Sequence, residues 1–456
     1  MSGAIDASSD IYLGIMTGTS LDAIDVAVCR FPKGDFPQAR VQLLGFHSTP
    51  WPEDMRDTLM SLATSATVSM DLLVRSHFLL AKYYADAVDD TLSFMNLSAK
   101  DIRAIGLHGQ TVRHLPITNR GITNYGQPWL PELRITNGGT DSGVRGPGSE
   151  AGGSDFSDPG PRTPEPESPI RNSQFVIRNS PEIGATLQLG SGSALAALSG
   201  IDVISDFRSA DVALGGQGAP LVPMFDYAFL RSETADRLIV NIGGIANVTW
   251  LPQHAKPEDV VAFDCGPGNM MIDSVTEKYF GEPFDRDGNH ARKGTIDEAL
   301  LVSLLSHPYF QQPPPKSTGR ELFGETFLRA VYEKIEDGSL SSLDALATLT
   351  ELTARSIVKS IPNVKDRPSA IEIIVSGGGA YNNYLCERIS IDAGRATVLQ
   401  SDVVGIPANA KEAIAFAFFA FAFLEDIPIH LPLATGAIHP AKLGSLSRGS
   451  RDGMLR

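Results

Sequence analysis

The chain has 456 residues, 42% of them hydrophobic and 20% charged, with a formal net charge of −15. Such a length and apolar share can bury large cores in two or three units of ordinary size. The acidic balance excludes a partner that presents a phosphate backbone, because nucleic-acid binders need a basic face, while small anions held by backbone N–H groups stay compatible.

The N-terminal "MSGAIDASSD" lacks the basic and apolar regions of a secretory signal, so a cytoplasmic protein is expected. Residues 11 to 50 read as a strand, a Gly/Ser/Thr turn and two further strands: "IYLGIMTGTS", "LDAIDVAVCRF" and "VQLLGFHS". Within "GIMTGTSLDAID", the turn Gly18, Thr19, Ser20, Leu21, Asp22, Ala23, Ile24, Asp25 can aim N–H groups and hydroxyls at phosphate oxygens. Asp22 and Asp25 could hold magnesium through water, and an ordinary hairpin fits the same residues. Two helices are predicted over about 53–66 and 69–95, then strands at "AIGLHG", "ATLQLG" and "DVISDF".

Arg134 to Pro169 is rich in Gly, Ser, Pro, Asp and Glu and almost free of apolar residues. It cannot bury enough surface to offset its ordering entropy, which marks an insertion of about 60 residues, roughly 117–182, in the first unit. The second half, taken from 231 to 456 against 1 to 230, restarts with "RLIVNIGGIANVTWLP", two strands around Gly243 and Gly244. "VAFDCGPGN" follows and brings Asp264 to the end of an apolar strand among small residues. Such a carboxylate either caps the next helix or does chemistry. Helices are predicted near 269–279, 296–306, 321–336 and 342–361, then "EIIVSGGGAYNN", whose Gly377, Gly378 and Gly379 precede Asn382 and suit close approach of a nucleotide. The run "AIAFAFFAFAFL", Ala413 to Leu424, is too short for the roughly 20 residues that span a bilayer, so it reads as a buried core helix with no membrane partner. Cys29, Cys265 and Cys386 are far apart and form no C-x-x-C pair, against a disulfide framework or zinc site.

The series "GIMTGTSLDAIDVAV", "GLHGQTVRH", "DFRSADVALGGQGAPLVP", "NIGGIANV", "FDCGPGNMMID", "PYFQQPPPKSTGRE" and "SGGGAYN" resembles the anhydro-N-acetylmuramic acid kinase family over nearly the whole chain. The resemblance implies a two-lobed α/β fold of the actin and hexokinase type, with ATP and sugar between the lobes. It implies an enzyme that uses ATP, Mg2+ and water to convert a 1,6-anhydro sugar into its ring-opened 6-phosphate. Asp264 would be the base that acts on water and Glu412 its partner near the metal, with Asp22, Asp264 and Glu412 as metal ligands. ATP contacts fall on the three glycine turns. Substrate contacts fall on His108, Gln110, Asp206, Arg208, Gly216, Gln217, Gly218 and Lys316; a packed histidine and mutually paired charges fit these segments too. "GGGAYN" and "GIPANAKEAIAFA" also resemble levoglucosan kinase, and a non-catalytic nucleotide or sugar binder is the reading of another class. Ala23, Cys265 and Ser191 depart from the family pattern, which usually has Gly, Thr and Asp there. A homodimer is implied by the resemblance alone.

Overall fold

The computed structural model describes residues 10–18, 21–32, 40–65, 67–115, 184–314, 316–362 and 369–450, so Thr19, Ser20 and the expected insertion lie outside the described residues. The first half of the chain forms β1 (Ile11–Met16), β2 (Ala23–Arg30), β3 (Gln42–Pro50), α1 (Glu53–Thr64), α2 (Met70–Phe94), β4 (Ile102–Leu107), β5 (Gln110–Leu115), β6 (Ala185–Leu189), α3 (Gly192–Ser199), β7 (Val203–Ser205), α4 (Ser209–Ala213) and α5 (Pro223–Leu230). The rest forms β8 (Ala235–Ile242), β9 (Ile245–Leu251), β10 (Val261–Pro267), α6 (Met270–Phe280), α7 (Glu298–Leu305), α8 (Arg320–Phe323), α9 (Glu325–Glu336), α10 (Ser342–Val358), β11 (Ala370–Ser376), α11 (Asn383–Ala393), β12 (Thr397–Gln400), α12 (Lys411–Leu424), α13 (Pro432–Thr435) and β13 (Ser445–Ser447).

Two sheets repeat one design. The first has the order β3-β2-β1-β4-β7-β13 and the second β10-β9-β8-β11-β12. In each, three antiparallel strands in succession are extended by two parallel ones, β4 and β7 beside β1, and β11 and β12 beside β8. The matched openings of the two halves thus belong to a duplicated α/β topology, the two-lobed arrangement implied by the family resemblance.

The central strands of both sheets are apolar on both faces because both are covered. Leu13, Ile15, Val26, Val28 and Ile105 face α1 to α3, while Tyr12, Ala27, Ala104 and Ile204 face the opposite way, toward α12. In the second sheet, Leu238, Val240 and Val248 face α10 and α11, whereas Ile239, Leu251, Ala262 and Ile374 share the core of α12. A helix apolar all round must be buried all round. α12 satisfies this by lying in the core common to both sheets, with Phe416, Phe418, Phe419 and Phe421 buried. Each such side chain contributes roughly 1.5–3 kcal/mol of burial free energy. Its approach to β1 and β4 requires glycine: a Cβ on Gly14 would overlap the Ala413 carbonyl, and one on Gly106 the Phe416 carbonyl.

The end of the chain departs from a division at residue 230. α12 packs on β1, β2 and β4, and β13 pairs with β7 at the edge of the first sheet. Its physical cause is the need of α12 for two apolar surfaces, which only the space between the sheets supplies.

Candidate active site

The expected functional loops gather at one end of each sheet. β1, β4 and β7 run parallel, as do β8 and β11, and β10 runs with them because it is antiparallel to β9. Loops leaving the carboxyl ends of such strands are where open α/β sheets bind ligands. In the second sheet Asp264 lies opposite Asn247, Asn247 opposite Asn241, and Asn241 beside Ser376. Residues paired in this way share a face, and this row continues the face that carries Ala262, Ile239 and Ile374 toward α12. Asp264 and Asn241 are two strands apart, a backbone separation of about 10 Å.

Asp264 is held firmly. Its Oδ2 accepts hydrogen bonds from Ser317 Oγ and the Thr318 N–H, both 2.9 Å. Its N–H donates to the Lys316 carbonyl at 3.2 Å, and its own carbonyl accepts from the Tyr309 hydroxyl at 2.6 Å. The "KSTG" segment therefore orients this carboxylate, a role for Ser317 and Thr318 that sequence reasoning did not assign. The ladder between β10 and β9 shifts register between Asp264 and Gly266, and Cys265, next along the strand, lies on the opposite face with Val240 and Val248. There Cys265 donates its thiol to the Ala246 carbonyl at 3.2 Å, and burial, then the charge of Asp264, push its pKa up to about 12. The missing Thr hydroxyl is thus a change in the core.

Glu412 enters from the first turn of α12, where the helix dipole favours a carboxylate. Asn241 Nδ2 donates to its Oε1 at 3.3 Å, which joins it to the row that begins at Asp264. Burial raises the Glu412 pKa; Lys411 and Arg208 oppose this, and Asp25 and Asp226 add to it. Asp25 is also raised, first by burial and then by Asp22, against a hydrogen bond of 2.6 Å from Ser48. Lys411 is buried and pairs with Asp226 at 3.0 Å, and Asp226 accepts from Thr249 at 2.8 Å.

The expected metal ligands Asp22, Asp264 and Glu412 lie in different surroundings. Asp22 is exposed and lies 4.0 Å from Arg56, and among the described residues no group of three acidic, histidine or cysteine side chains converges to hold a metal. The acids that share the field of Glu412 are Asp25 and Asp226, and Asp226 is already paired with Lys411. Magnesium usually binds one or two carboxylates with water and phosphate oxygens, and two half-buried acids with raised proton affinity suit such a cation.

The sugar-contact candidates divide. Arg208 Nη2 donates to His108 Nε2 at 2.9 Å, so the neutral His108 ring carries its proton on Nδ1. Burial, then Arg208, hold its pKa well below the usual value. Beyond an interaction with the Gly109 backbone, that Nδ1 is buried without a hydrogen-bond partner among the described residues, as are Gln110 Oε1 and Arg208 Nε. Buried polar atoms left open beside one another are what a polar ligand would satisfy. Arg208 Nη1 holds the Gly218 carbonyl at 2.8 Å, and Gly216 packs against Asp211. Asp206, with φ 59°, is exposed and accepts from Ser209, and the Gln217 N–H donates to the Thr435 carbonyl at 2.8 Å. Lys316 donates to the Tyr309 carbonyl at 3.1 Å and lies 4.6 Å from that ring, which makes it an anchor of the segment that orients Asp264.

The glycine turns also separate. A Cβ on Gly243, Gly244 or Gly378 would meet nothing closer than 3.6 Å, so packing does not demand glycine there. Gly377 has φ 77°, and Gly379 abuts Ile242, so these two serve the fold. Leu21 and Ile24 are buried, leaving only their backbone available to a nucleotide; Leu21 adopts φ 58° after Gly18, a strained state for a branched residue. Ala23 starts β2 opposite Pro50. Asn382 caps α11 by accepting from the Leu385 N–H at 3.0 Å, and Ser191 caps α3 through the Ala194 N–H at 3.2 Å.

The family model described as anhydro-N-acetylmuramic acid kinase matches residues 10–128 and 172–449. The chain belongs to the anhydro-N-acetylmuramic acid kinase family. Among curated relatives, the anhydro-N-acetylmuramic acid kinase of Saccharophagus degradans is 37% identical over 436 residues, covering 96% of this chain and 98% of the relative. Those of Shewanella amazonensis and Salinibacter ruber are each 35% identical, covering 96% and 98%, and 95% and 95%, respectively. Residues 129–171, which the anhydro-N-acetylmuramic acid kinase pattern leaves unmatched, fall inside the insertion expected from composition. Solved structures similar to this chain include the activator of the 2-hydroxyisocaproyl-CoA dehydratase from Clostridium difficile with bound ADPNP, at TM-score 0.41 and 10% identity over 91% of this chain and 96% of that one. A ROK family glucokinase from Streptomyces griseus, in complex with glucose and AMPPNP, aligns at TM-score 0.35 and 9% identity over 90% and 98%.

Proposed function

We propose that this protein is an ATP-dependent kinase that opens 1,6-anhydro-N-acetylmuramic acid with water and phosphorylates its 6-oxygen. The observation that carries the reading is Asp264, oriented by Ser317 and Thr318 and joined through the row ending at Asn241 to Glu412. An anhydro sugar has no free 6-hydroxyl, so the base must act on water. Asp264 takes a proton from water as the water oxygen bonds to C1. The bond from C1 to oxygen 6 breaks, and oxygen 6 takes the γ-phosphoryl group while ADP leaves. His108 Nδ1–H and Gln110 Oε1 supply a donor and an acceptor for sugar oxygens. Gly243, Gly244 and Gly378 admit the nucleotide closely. Asp25 and Glu412 would hold magnesium, which neutralises charge on the transferring phosphate when bound. The family resemblance extends the proposal to a cytoplasmic homodimer.

The test is ADP release by purified protein with ATP and magnesium, given 1,6-anhydro-N-acetylmuramic acid, levoglucosan or no sugar. Stimulation by the muramic sugar is expected. ATP binding with no response to either sugar would favour the non-catalytic reading.

A further inference from the structure

Asp211 is 0% exposed, and the proposed reaction makes no use of it. A carboxylate in the interior stays ionised only where donors replace its water. Three do so here. Oδ1 accepts from Thr435 Oγ1 and from His430 Nε2, and Oδ2 accepts from the Gly218 N–H at 2.6 Å. His430 Nδ1 in turn accepts from the Ala441 N–H at 2.8 Å, which leaves Nε2 as the ring's donor to Asp211.

These bonds tie a distant part of the chain to one loop. Thr435 accepts the Gln217 N–H through its carbonyl, and the Ile438 N–H donates to the Leu214 carbonyl at 3.1 Å. The same loop is gripped from its other side by Arg208, which holds the Gly218 carbonyl and reaches His108. Gly218 therefore has its N–H fixed by Asp211 and its C=O fixed by the residue that orients His108. Gly216 must lack a Cβ because the Asp211 carboxylate occupies that space.

We infer that Asp211, Thr435 and His430 are positioning residues for the sugar, setting the 216–218 loop and, through Gly218 and Arg208, the His108 donor. This rests on the proposed reaction of an anhydro sugar. None of these bonds touches the turns at Gly243, Gly244 or Gly378, so their loss should fall on the sugar and spare ATP.

The experiment compares Thr435→Val with Thr435→Ser in the full chain, measuring kcat and KM for 1,6-anhydro-N-acetylmuramic acid and for ATP, calorimetric binding of each ligand, and melting temperature. Removing a hydroxyl that donates to a buried carboxylate should lower kcat/KM for the sugar about tenfold or more, leave ATP affinity unchanged, and be largely restored by serine. If Thr435→Val does not fold, His430→Phe against His430→Gln, which keeps a donor at the ring's outer position, gives the same contrast. An active wild type with an unaffected Thr435→Val, or with equal losses toward both substrates, overturns the inference alone. A wild type that neither binds nor turns over the sugar overturns the functional reading and the inference together.

Discussion

Neighbouring glycines in "SGGGAYN" should respond oppositely to one added methyl group. At Gly378 a Cβ would meet only Asn269 Nδ2, at 3.7 Å, an ordinary contact. Alanine there should leave folding intact and add about 0.4–1 kcal/mol by restricting the unfolded chain. At Gly379 the same Cβ would lie 2.7 Å from Ile242 Cβ and 2.9 Å from Asn269 Oδ1, an overpacking that costs about 1–3 kcal/mol. The contrast is read by thermal melting of both variants and by titration with ATP. Gly378→Ala should match or exceed the wild-type melting temperature while weakening ATP about tenfold, a loss of roughly 1.4 kcal/mol. Gly379→Ala should melt lower. Unchanged ATP affinity in Gly378→Ala would refute the assignment of this turn to the nucleotide, and a fully stable Gly379→Ala would refute the packing argument.

Three further outcomes follow from buried charge and chain connection. Lys411→Met leaves Asp226 buried without its cation and should cost about 3–5 kcal/mol in a denaturation measurement, most of it regained by adding Asp226→Leu; a lone Lys411→Met as stable as wild type would contradict this. Leu115 pairs directly with Ala185, so replacing residues 117–182 by a short turn should preserve melting and turnover, and loss of folding would show that the segment is no insertion. Burial alone would raise the Asp211 pKa, but hydrogen bonds from His430, Thr435 and Gly218 outweigh it and lower the value. Its stabilisation is thus present above the ordinary carboxylate range and lost as pH falls through the lowered value. The melting gap between wild type and Asp211→Asn should be widest near neutral pH and close in strong acid; a gap independent of pH would contradict it.

What could be read in the sequence was local. Hairpin strands, the strand that carries Asp264 and the all-apolar run of α12 each declare themselves within a dozen residues, and the family motifs single out Asp264 and Glu412, although β10 runs on past Asp264 to Pro267. Partners brought together by the fold were hidden. Asp22 and Asp25 look equivalent along the chain, yet only Asp25 lies on the face of β2 that also carries Ala27 and Cys29 toward α12. Lys316 looks like a free cation beside a ligand loop, but its ammonium is engaged by Tyr309. Asp211 lies inside a segment singled out for sugar contact, and nothing nearby announces Thr435 and His430, more than 200 residues later. Lys411 carries one signal that was available: a charge at the mouth of an otherwise apolar helix needs a buried partner.

The central claim, that Asp264 activates water at C1 while oxygen 6 takes the phosphoryl group, is tested most directly by mass spectrometry of the product from 1,6-anhydro-N-acetylmuramic acid, ATP and magnesium. Wild-type protein should yield a sugar that has gained both the elements of water and one phosphoryl group, and Asp264→Asn should yield it at least about a hundredfold more slowly with ATP affinity retained. A phosphorylated product with its anhydro bridge intact, or undiminished turnover by Asp264→Asn, would contradict it.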